Sequence, residues 1–270
     1  MVDRETGSFE HQGERLYYES MGAGDPVVLS HGLGGNHASW WRVVPALAEH
    51  HRVITWDQRG FGNSTRASGH YGPEPAVGDL RALLDHLEIG QVQLVGQSMG
   101  GWVTLAFAVE HPERVAGLVL TDTLAGVSSD EIDAVVRRTA GSAMARRVSG
   151  GIGEHPALGE AFCRRRPDLA FLYQQLSSLG DKPDDAEVFR MLTEMRVPPE
   201  RLARIDVPVL LVVGADDRLC SPEAMSLVAD QLPGAELHVI ADAGHSPYFE
   251  RPEEWTAVVG PFLAANRLPR

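Results

Sequence analysis

Gly96-Gln97-Ser98-Met99-Gly100-Gly101 is the stretch on which the reading of this chain turns. It follows a short apolar run, Val92-Gln93-Leu94-Val95, and opens an almost wholly apolar segment from Trp102 to Val109. That order predicts strand, sharp turn and helix, the context in which G-x-S-x-G carries chemistry. Glycines bracket the turn because a Cβ would not pass between strand and helix. The serine is left at the apex in strained backbone, its hydroxyl exposed and a helix N-terminus beneath it.

Working outward, apolar runs alternate with helical patterns on both sides. Upstream, Phe9–His11 and Leu16–Glu19 flank a Gln12-Gly13 turn and predict a hairpin. Pro26–Leu29 predicts a buried strand running into the glycine-rich loop Ser30-His31-Gly32-Leu33-Gly34-Gly35, then a helix carrying Trp40, Val44 and Leu47. Arg52–Trp56 predicts a strand leading into Asp57-Gln58-Arg59-Gly60-Phe61-Gly62-Asn63-Ser64, read as a structural turn. Val77, Leu80, Leu84 and Leu87 recur at helical steps up to a stop at Gly90. Downstream, Val115–Leu120 and Val207–Val213 predict further strands, followed by a helix near Pro222–Leu232, a strand at Leu237–Ile240 and a last helix from Glu253 to about Asn266. Alternating strands and helices imply a mostly parallel, doubly wound α/β sheet, which binds ligands at the carboxyl ends of its strands.

The alternation stops between residues 124 and 199. Ser128-Ser129-Asp130-Glu131 reads as a capping box ahead of Ile132, Val135 and Val136. Gly141–Gly153 carries four glycines and predicts a mobile loop. Pro167–Leu179 and Asp184–Met195 have helical spacing. The expected organisation is a core of residues 1–123 and 200–270 with an inserted helical lid of three to four helices at 124–199.

The chain's 270 residues fit one such domain, large enough to need neither disulfide nor metal. Its net charge of −13 argues against nucleic acid or an anionic membrane as partner. Cys163 and Cys220 offer no disulfide framework and no metal-ligand spacing. With no apolar leader after Met1 and no membrane-length apolar window, they point to a reduced, cytoplasmic setting. The expected partner is a small-molecule substrate, with no cofactor and no metal, and oligomeric state is left unassigned.

A serine hydroxyl needs a base to take its proton, and the base needs an orienting group. His245 lies in Asp242-Ala243-Gly244-His245-Ser246-Pro247, just after the Leu237 strand and at the same sheet edge as Ser98. His31 reads as structural beside its glycines, and His50, His51, His86 and His111 as solvated residues at helix ends. Asp217, in Gly214-Ala215-Asp216-Asp217, is the preferred orienting acid; Asp122, closing a different strand at the same edge, is the rival, and adjacent Asp216 the third choice.

The order Ser98, Asp217, His245 is that expected of α/β-hydrolases. Together with His31–Gly35, Asp57–Ser64, the Ser98 turn, Gly214–Asp217 and Gly244-His245, it makes the chain resemble that superfamily over nearly its full length. The resemblance implies an oxyanion hole made by the backbone N–H groups of Leu33 and Met99. Ser98, where some members have Asp, sets aside dehalogenase and epoxide hydrolase readings. Ser98-Met99-Gly100-Gly101 looks like esterases, lactonases, perhydrolases and carbon–carbon hydrolases of ring-cleavage products. The last usually carry Trp directly after the histidine, where this chain has Ser246. The expectation is a serine hydrolase of a small or medium carboxylic ester or lactone. The alternatives are a carbon–carbon hydrolase, with Arg190 or Arg196 supplying a cation and Phe171, Tyr173 or Phe189 a wall, a cofactor-free oxygenase, or a ligand-binding member of the fold.

Overall fold

The computed structural model describes residues 3–145, 151–180 and 182–268. Among these, the strands are β1 (Arg4–His11), β2 (Glu14–Met21), β3 (Pro26–Ser30), β4 (Arg52–Trp56), β5 (Val92–Gln97), β6 (Val115–Thr121), β7 (Val209–Gly214) and β8 (Glu236–Ile240). They form one sheet in the order β1-β2-β4-β3-β5-β6-β7-β8. The β1–β2 hairpin and the β2–β4 pair are antiparallel, and all other pairs are parallel. Gln12 (φ 50°) and Gly13 (φ 80°) make the two-residue left-handed turn that matches the twist of the hairpin strands.

The helices are α1 (Val44–Leu47), α2 (Pro73–His86), α3 (Met99–Glu110), α4 (Asp130–Ala145), α5 (Glu160–Arg165), α6 (Pro167–Leu176), α7 (Asp185–Glu194), α8 (Pro199–Leu202), α9 (Pro222–Ala229), α10 (Pro247–Glu250) and α11 (Pro252–Ala265). The continuous apolar runs of the inner strands feed two cores, because successive side chains leave a strand on opposite faces. Val28, Ile54, Leu94, Leu118 and Leu211 pack on one side with α2, α3 and α9. Val27, Val53, Val95, Val119 and Val212 pack on the other with α1 and α11, around Trp40, Trp255 and Leu263. The chain steps from β3 outward to β4 and then back across to β5, so the order reverses at the β3–β5 pair. The loops leaving β3 and β5 therefore flank the crevice where sheets of this type take their ligands.

Several local expectations change. The helix expected to carry Trp40, Val44 and Leu47 is split into a 3-10 turn at His37–Trp40, capped by Asn36, which accepts the Ala38 N–H at 3.0 Å, and the short α1, where Pro45 has no N–H to continue the earlier turn. α2 ends before Gly90, and Glu88 (φ 55°) supplies the left-handed residue that turns the chain. Ser129, not Ser128, caps α4, with its Oγ accepting the Ile132 N–H at 3.2 Å. α4 continues through Gly141 to Ala145, so the start of the expected Gly141–Gly153 loop is helical; residues 146–150 lie outside the described residues. His51 is buried, only 5% exposed, rather than solvated.

Between β6 and β7 the chain runs through α4 to α8, with no strand among the described residues. This inserted segment is held to the core by polar contacts around the sheet edge. Asn36 Nδ2 donates to the Leu176 carbonyl at 2.7 Å, Trp102 Nε1 donates to the Leu192 carbonyl at 3.0 Å, and the hydroxyls of Tyr173 and Ser246 meet at 3.0 Å. Among the described residues no helix is long and apolar enough to cross a membrane.

Candidate active site

The turn between β5 and α3 brings Ser98 to φ 48°, ψ −119°, a backbone conformation that L-residues avoid and that surrounding structure must enforce. Its N–H donates to the Thr121 carbonyl at 3.1 Å, while its own carbonyl accepts from Gly101 N–H at 2.8 Å and Thr123 Oγ1 at 2.7 Å. The flanking glycines answer to close packing. A Cβ on Gly100 would meet the Ser30 and His31 carbonyls, and one on Gly96 would meet Thr104 Oγ1 and the Gly100 carbonyl.

The loop after β8 places His245 beside Asp217, which leaves the end of β7. His245 Nδ1 lies 2.8 Å from Asp217 Oδ2, with both side chains buried. The other oxygen, Asp217 Oδ1, accepts the N–H groups of Leu219 (2.8 Å) and Cys220 (3.1 Å). Burial works to raise the Asp217 carboxyl, but His245 and these two donors hold it below its usual range. Gln97, the residue before Ser98, donates from Nε2 to the His245 carbonyl at 2.9 Å and so ties the histidine loop to the serine turn. Among the described residues, the Ser98 hydroxyl is not hydrogen-bonded to His245, a contact that in enzymes commonly tightens only with substrate bound.

Gly32 packs against the serine, so closely that a Cβ there would come within 3.0 Å of Ser98 Cβ. Leu33 follows it in the β3 loop, and Met99 begins α3, where the first N–H of a helix has no intrahelical partner. Among the described residues, neither the Leu33 nor the Met99 N–H donates to another protein group. His31 anchors this loop: its Nδ1 donates to the Gly32 carbonyl at 2.8 Å and its Nε2 accepts the Gln58 N–H at 3.1 Å. Burial lowers its pKa, which suits a neutral ring serving as both donor and acceptor.

The rival acids are placed elsewhere. Asp216 is exposed. Asp122 is fully buried, with Oδ1 accepting the Gly214 N–H at 3.0 Å and Oδ2 accepting from Thr121 Oγ1 at 2.9 Å. Burial, reinforced by the charge of neighbouring Asp217, holds the Asp122 carboxyl well above the usual range.

A cavity of about 740 Å³ opens over His245, bounded by Gly244, Asp216 and Arg218 from the core and by residues 152–167 of the inserted segment. Three features of the site gave no signal in the sequence. His155 faces this cavity with its Nδ1 accepting the Ala157 N–H at 3.2 Å; burial, with the nearby charge of Lys182, pushes its pKa down to about 4. Glu250 accepts three backbone N–H groups around the histidine loop. Gln97 is the third. Its position next to Ser98 was visible in the sequence, but the distant carbonyl it meets was not. Asp217, Cys220 and His245 gather their ligand atoms within 4.8 Å. Two of them are already engaged with each other, and burial keeps the Cys220 thiol far above its usual pKa, a poor donor set for a metal.

The arginines that the carbon–carbon hydrolase alternative would use for a cation do not enter the cavity wall. Arg190 pairs with Glu194 at 2.7 Å and Arg196 with Asp133 at 3.5 Å, all on exposed surface. Phe171 and Phe189 are exposed, and Tyr173 is buried.

The sequence model of the alpha/beta hydrolase fold matches residues 25–143 and 170–252. A 2-hydroxy-6-oxo-2,4-heptadienoate hydrolase of Pseudomonas putida is 34% identical over 259 residues, covering 91% of this chain and 91% of its own. Among solved structures, a thermophilic esterase of Thermogutta terrifontis superposes with a TM-score of 0.79 at 31% identity, over 98% of this chain and 100% of that one. An enzyme described as degrading N-acyl homoserine lactones superposes with a TM-score of 0.78 at 28% identity, over 95% and 100%. With the strand order, the strained serine turn and the buried histidine–aspartate contact already in place, these matches make the chain a member of the α/β-hydrolase family.

Proposed function

We propose that the protein is a serine hydrolase acting on a small or medium carboxylic ester or lactone through an acyl-enzyme on Ser98. The observation that carries this reading is the buried 2.8 Å contact between His245 Nδ1 and Asp217 Oδ2 at the sheet edge that also presents Ser98. Asp217 holds the Nδ1–H tautomer, which leaves Nε2 free to accept the Ser98 proton as the oxygen attacks a carbonyl. The N–H groups of Leu33 and Met99 meet the charge on the tetrahedral intermediate, each contributing about 3 kcal/mol to lowering the barrier. His245 returns the proton to the leaving alcohol, and water then releases the acid by the same steps in reverse. This sequence needs no cofactor and no metal. The inserted segment 124–199 serves as a lid, since residues 152–167 wall the cavity above His245. That wall lies almost wholly in the stretch that the family model leaves unmatched, which is where substrate choice would be written.

A second reading, hydrolysis of a carbon–carbon bond in a ring-cleavage product, draws support from the 34% identity to the heptadienoate hydrolase. Such a substrate must ketonise before cleavage and asks for a cation to hold its carboxylate. Arg190 and Arg196 are spent on surface pairs, whereas Arg164 and Arg218 line the cavity but both reach Glu160, at 3.5 and 3.4 Å. The test is a steady-state comparison of esters, lactones and vinylogous diketones on one preparation. The ester or lactone reading expects its best substrate to exceed every diketone by at least about tenfold in kcat/KM. A dienoate turning over faster than every ester and lactone would transfer the proposal to the second reading.

A further inference from the structure

Glu250 closes α10 five residues after His245 and is 4% exposed, yet among the described residues it has no ion-pair partner. Its carboxylate is occupied by backbone. Oε1 accepts the N–H groups of Gly244 (3.0 Å) and Ser246 (3.3 Å), the residues on either side of His245. Oε2 accepts the N–H of Gly159 at 3.0 Å, where the inserted segment enters α5 along the cavity wall. An apolar residue here would leave three buried N–H groups unsatisfied, so a structural clamp accounts for some of the arrangement. It does not account for the choice of donors. Any rotation of the Gly244–Ser246 backbone swings the imidazole, and the same carboxylate holds the wall of the cavity above that ring.

We propose that Glu250 is a positioning residue: it fixes the His245 loop and seats the inserted segment on it, so that alignment of the histidine and closure of the cavity wall occur together. The inference rests on the hydrolase reading above for its catalytic consequence, though not for its geometry.

Burial pushes the Glu250 carboxyl up to about 7, against the pull of its three N–H donors, and the charge of Asp217 adds to the rise. The other ionisable groups that face it are Tyr173 from α6 and Cys163 from α5, both held neutral by burial. The Arg42 guanidinium stands nearby but donates to the Phe249 carbonyl at 2.6 Å. With two donors on Oε1 and one on Oε2, protonation falls on Oε2 and weakens the Gly159 bond first. The folded carboxyl titrates above its ordinary value of 4.5, so its contribution to global stability is complete below that pH and is lost as pH rises through about 7. Over that same rise the local bond to Gly159 strengthens.

Glu250→Gln tests this, because an amide satisfies the Gly244 and Ser246 donors but turns an N–H group toward that of Gly159. Three readouts are taken: steady-state kinetics on a p-nitrophenyl ester, the downfield proton resonance of His245 Nδ1–H, and amide exchange of residues 151–166 between pH 6 and 8, corrected for intrinsic rates. The expected result is a kcat about 10- to 100-fold lower with KM within about threefold, a displaced or broadened resonance, and exchange that no longer slows as pH rises. Glu250→Asp retains the charge on a shorter arm, and should the amide variant fail to fold, it is expected to show the same kcat loss with pH-dependent exchange retained. An unchanged resonance together with unchanged pH dependence of exchange would overturn the proposal, as would a kcat loss with both unchanged. Resonance and exchange need no turnover, so failure of the hydrolase reading, seen as absence of fluorophosphonate labelling at Ser98, would be distinguishable from failure of this one.

Discussion

Replacing Asp217, the proposed orienting acid, exposes the logic of the site most sharply, because the structure dictates how an amide must sit there. Asp217 Oδ1 accepts two backbone N–H groups, from Leu219 and Cys220. In Asp217→Asn the amide oxygen must keep that place, since an NH2 group there would face two donors. The amide nitrogen is thereby forced toward His245 Nδ1, which must become an acceptor. The imidazole proton then moves to Nε2, the atom required to accept from Ser98. The wrong tautomer in an intact geometry lowers kcat by about 10⁴-fold, or about 5 kcal/mol of barrier. Asp122→Asn is the internal control. Asp122 meets the Gly214 N–H and the Thr121 hydroxyl rather than His245, and burial favours its neutral form, so an amide that keeps accepting from Gly214 leaves the His245 contact untouched. Its kcat is expected to stay within about threefold of the parent. The assay is p-nitrophenyl ester hydrolysis at pH 7 to 8, with circular dichroism and a thermal melt confirming that both variants are folded. Effects in the reverse order would refute the assignment and move the acid to the end of β6.

Two further outcomes concern the scaffold. Asp79→Ala should destabilise the fold by about 3–5 kcal/mol in urea melts, because it strips Arg59, 1% exposed, of its bidentate partner and leaves a buried guanidinium unpaired; a loss below about 1 kcal/mol would contradict this. Glu14 has a pKa of about 2: burial works to raise it, but donors from Ser68, Thr65 and Ala67 overcome that effect. Its contribution to stability is present above pH 4.5 and is lost as pH falls toward 2, so Glu14→Gln should flatten the acid limb of stability against pH, and an unaltered limb would contradict the assignment.

What the sequence made legible was local chemistry at element ends. Strand, glycine turn and helix around Ser98 follow from a pattern within one short window, and the β1–β2 hairpin from Gln12-Gly13. The choice among Asp217, Asp216 and Asp122 needed more. All three follow strands at one sheet edge, and only side-chain direction separates the one that meets His245 from one that faces solvent and one buried against Gly214 and Thr121. Glu250 was illegible for a related reason: beside Arg251, Glu253 and Glu254 it reads as one more polar helix residue, and its donors come from the tertiary fold. Gly141 misled in the other direction. Glycine density suggested a loop, but a helix interior tolerates an isolated glycine at a cost of about 1 kcal/mol. His51 looked like a solvated residue at a helix end, yet the packed loop around Gly22 and Gly24 covers it, and no local pattern carries that information.

The proposed role of Ser98 as nucleophile is open to covalent trapping. The protein is treated with a stoichiometric fluorophosphonate, its intact mass is measured, and the adduct is located by peptide mapping, with Ser98→Ala alongside. A single adduct on Ser98 is expected, with loss of ester hydrolysis in proportion to labelling, and neither label nor turnover in a folded Ser98→Ala variant. Labelling at another residue, or ester hydrolysis retained by that variant, would contradict it.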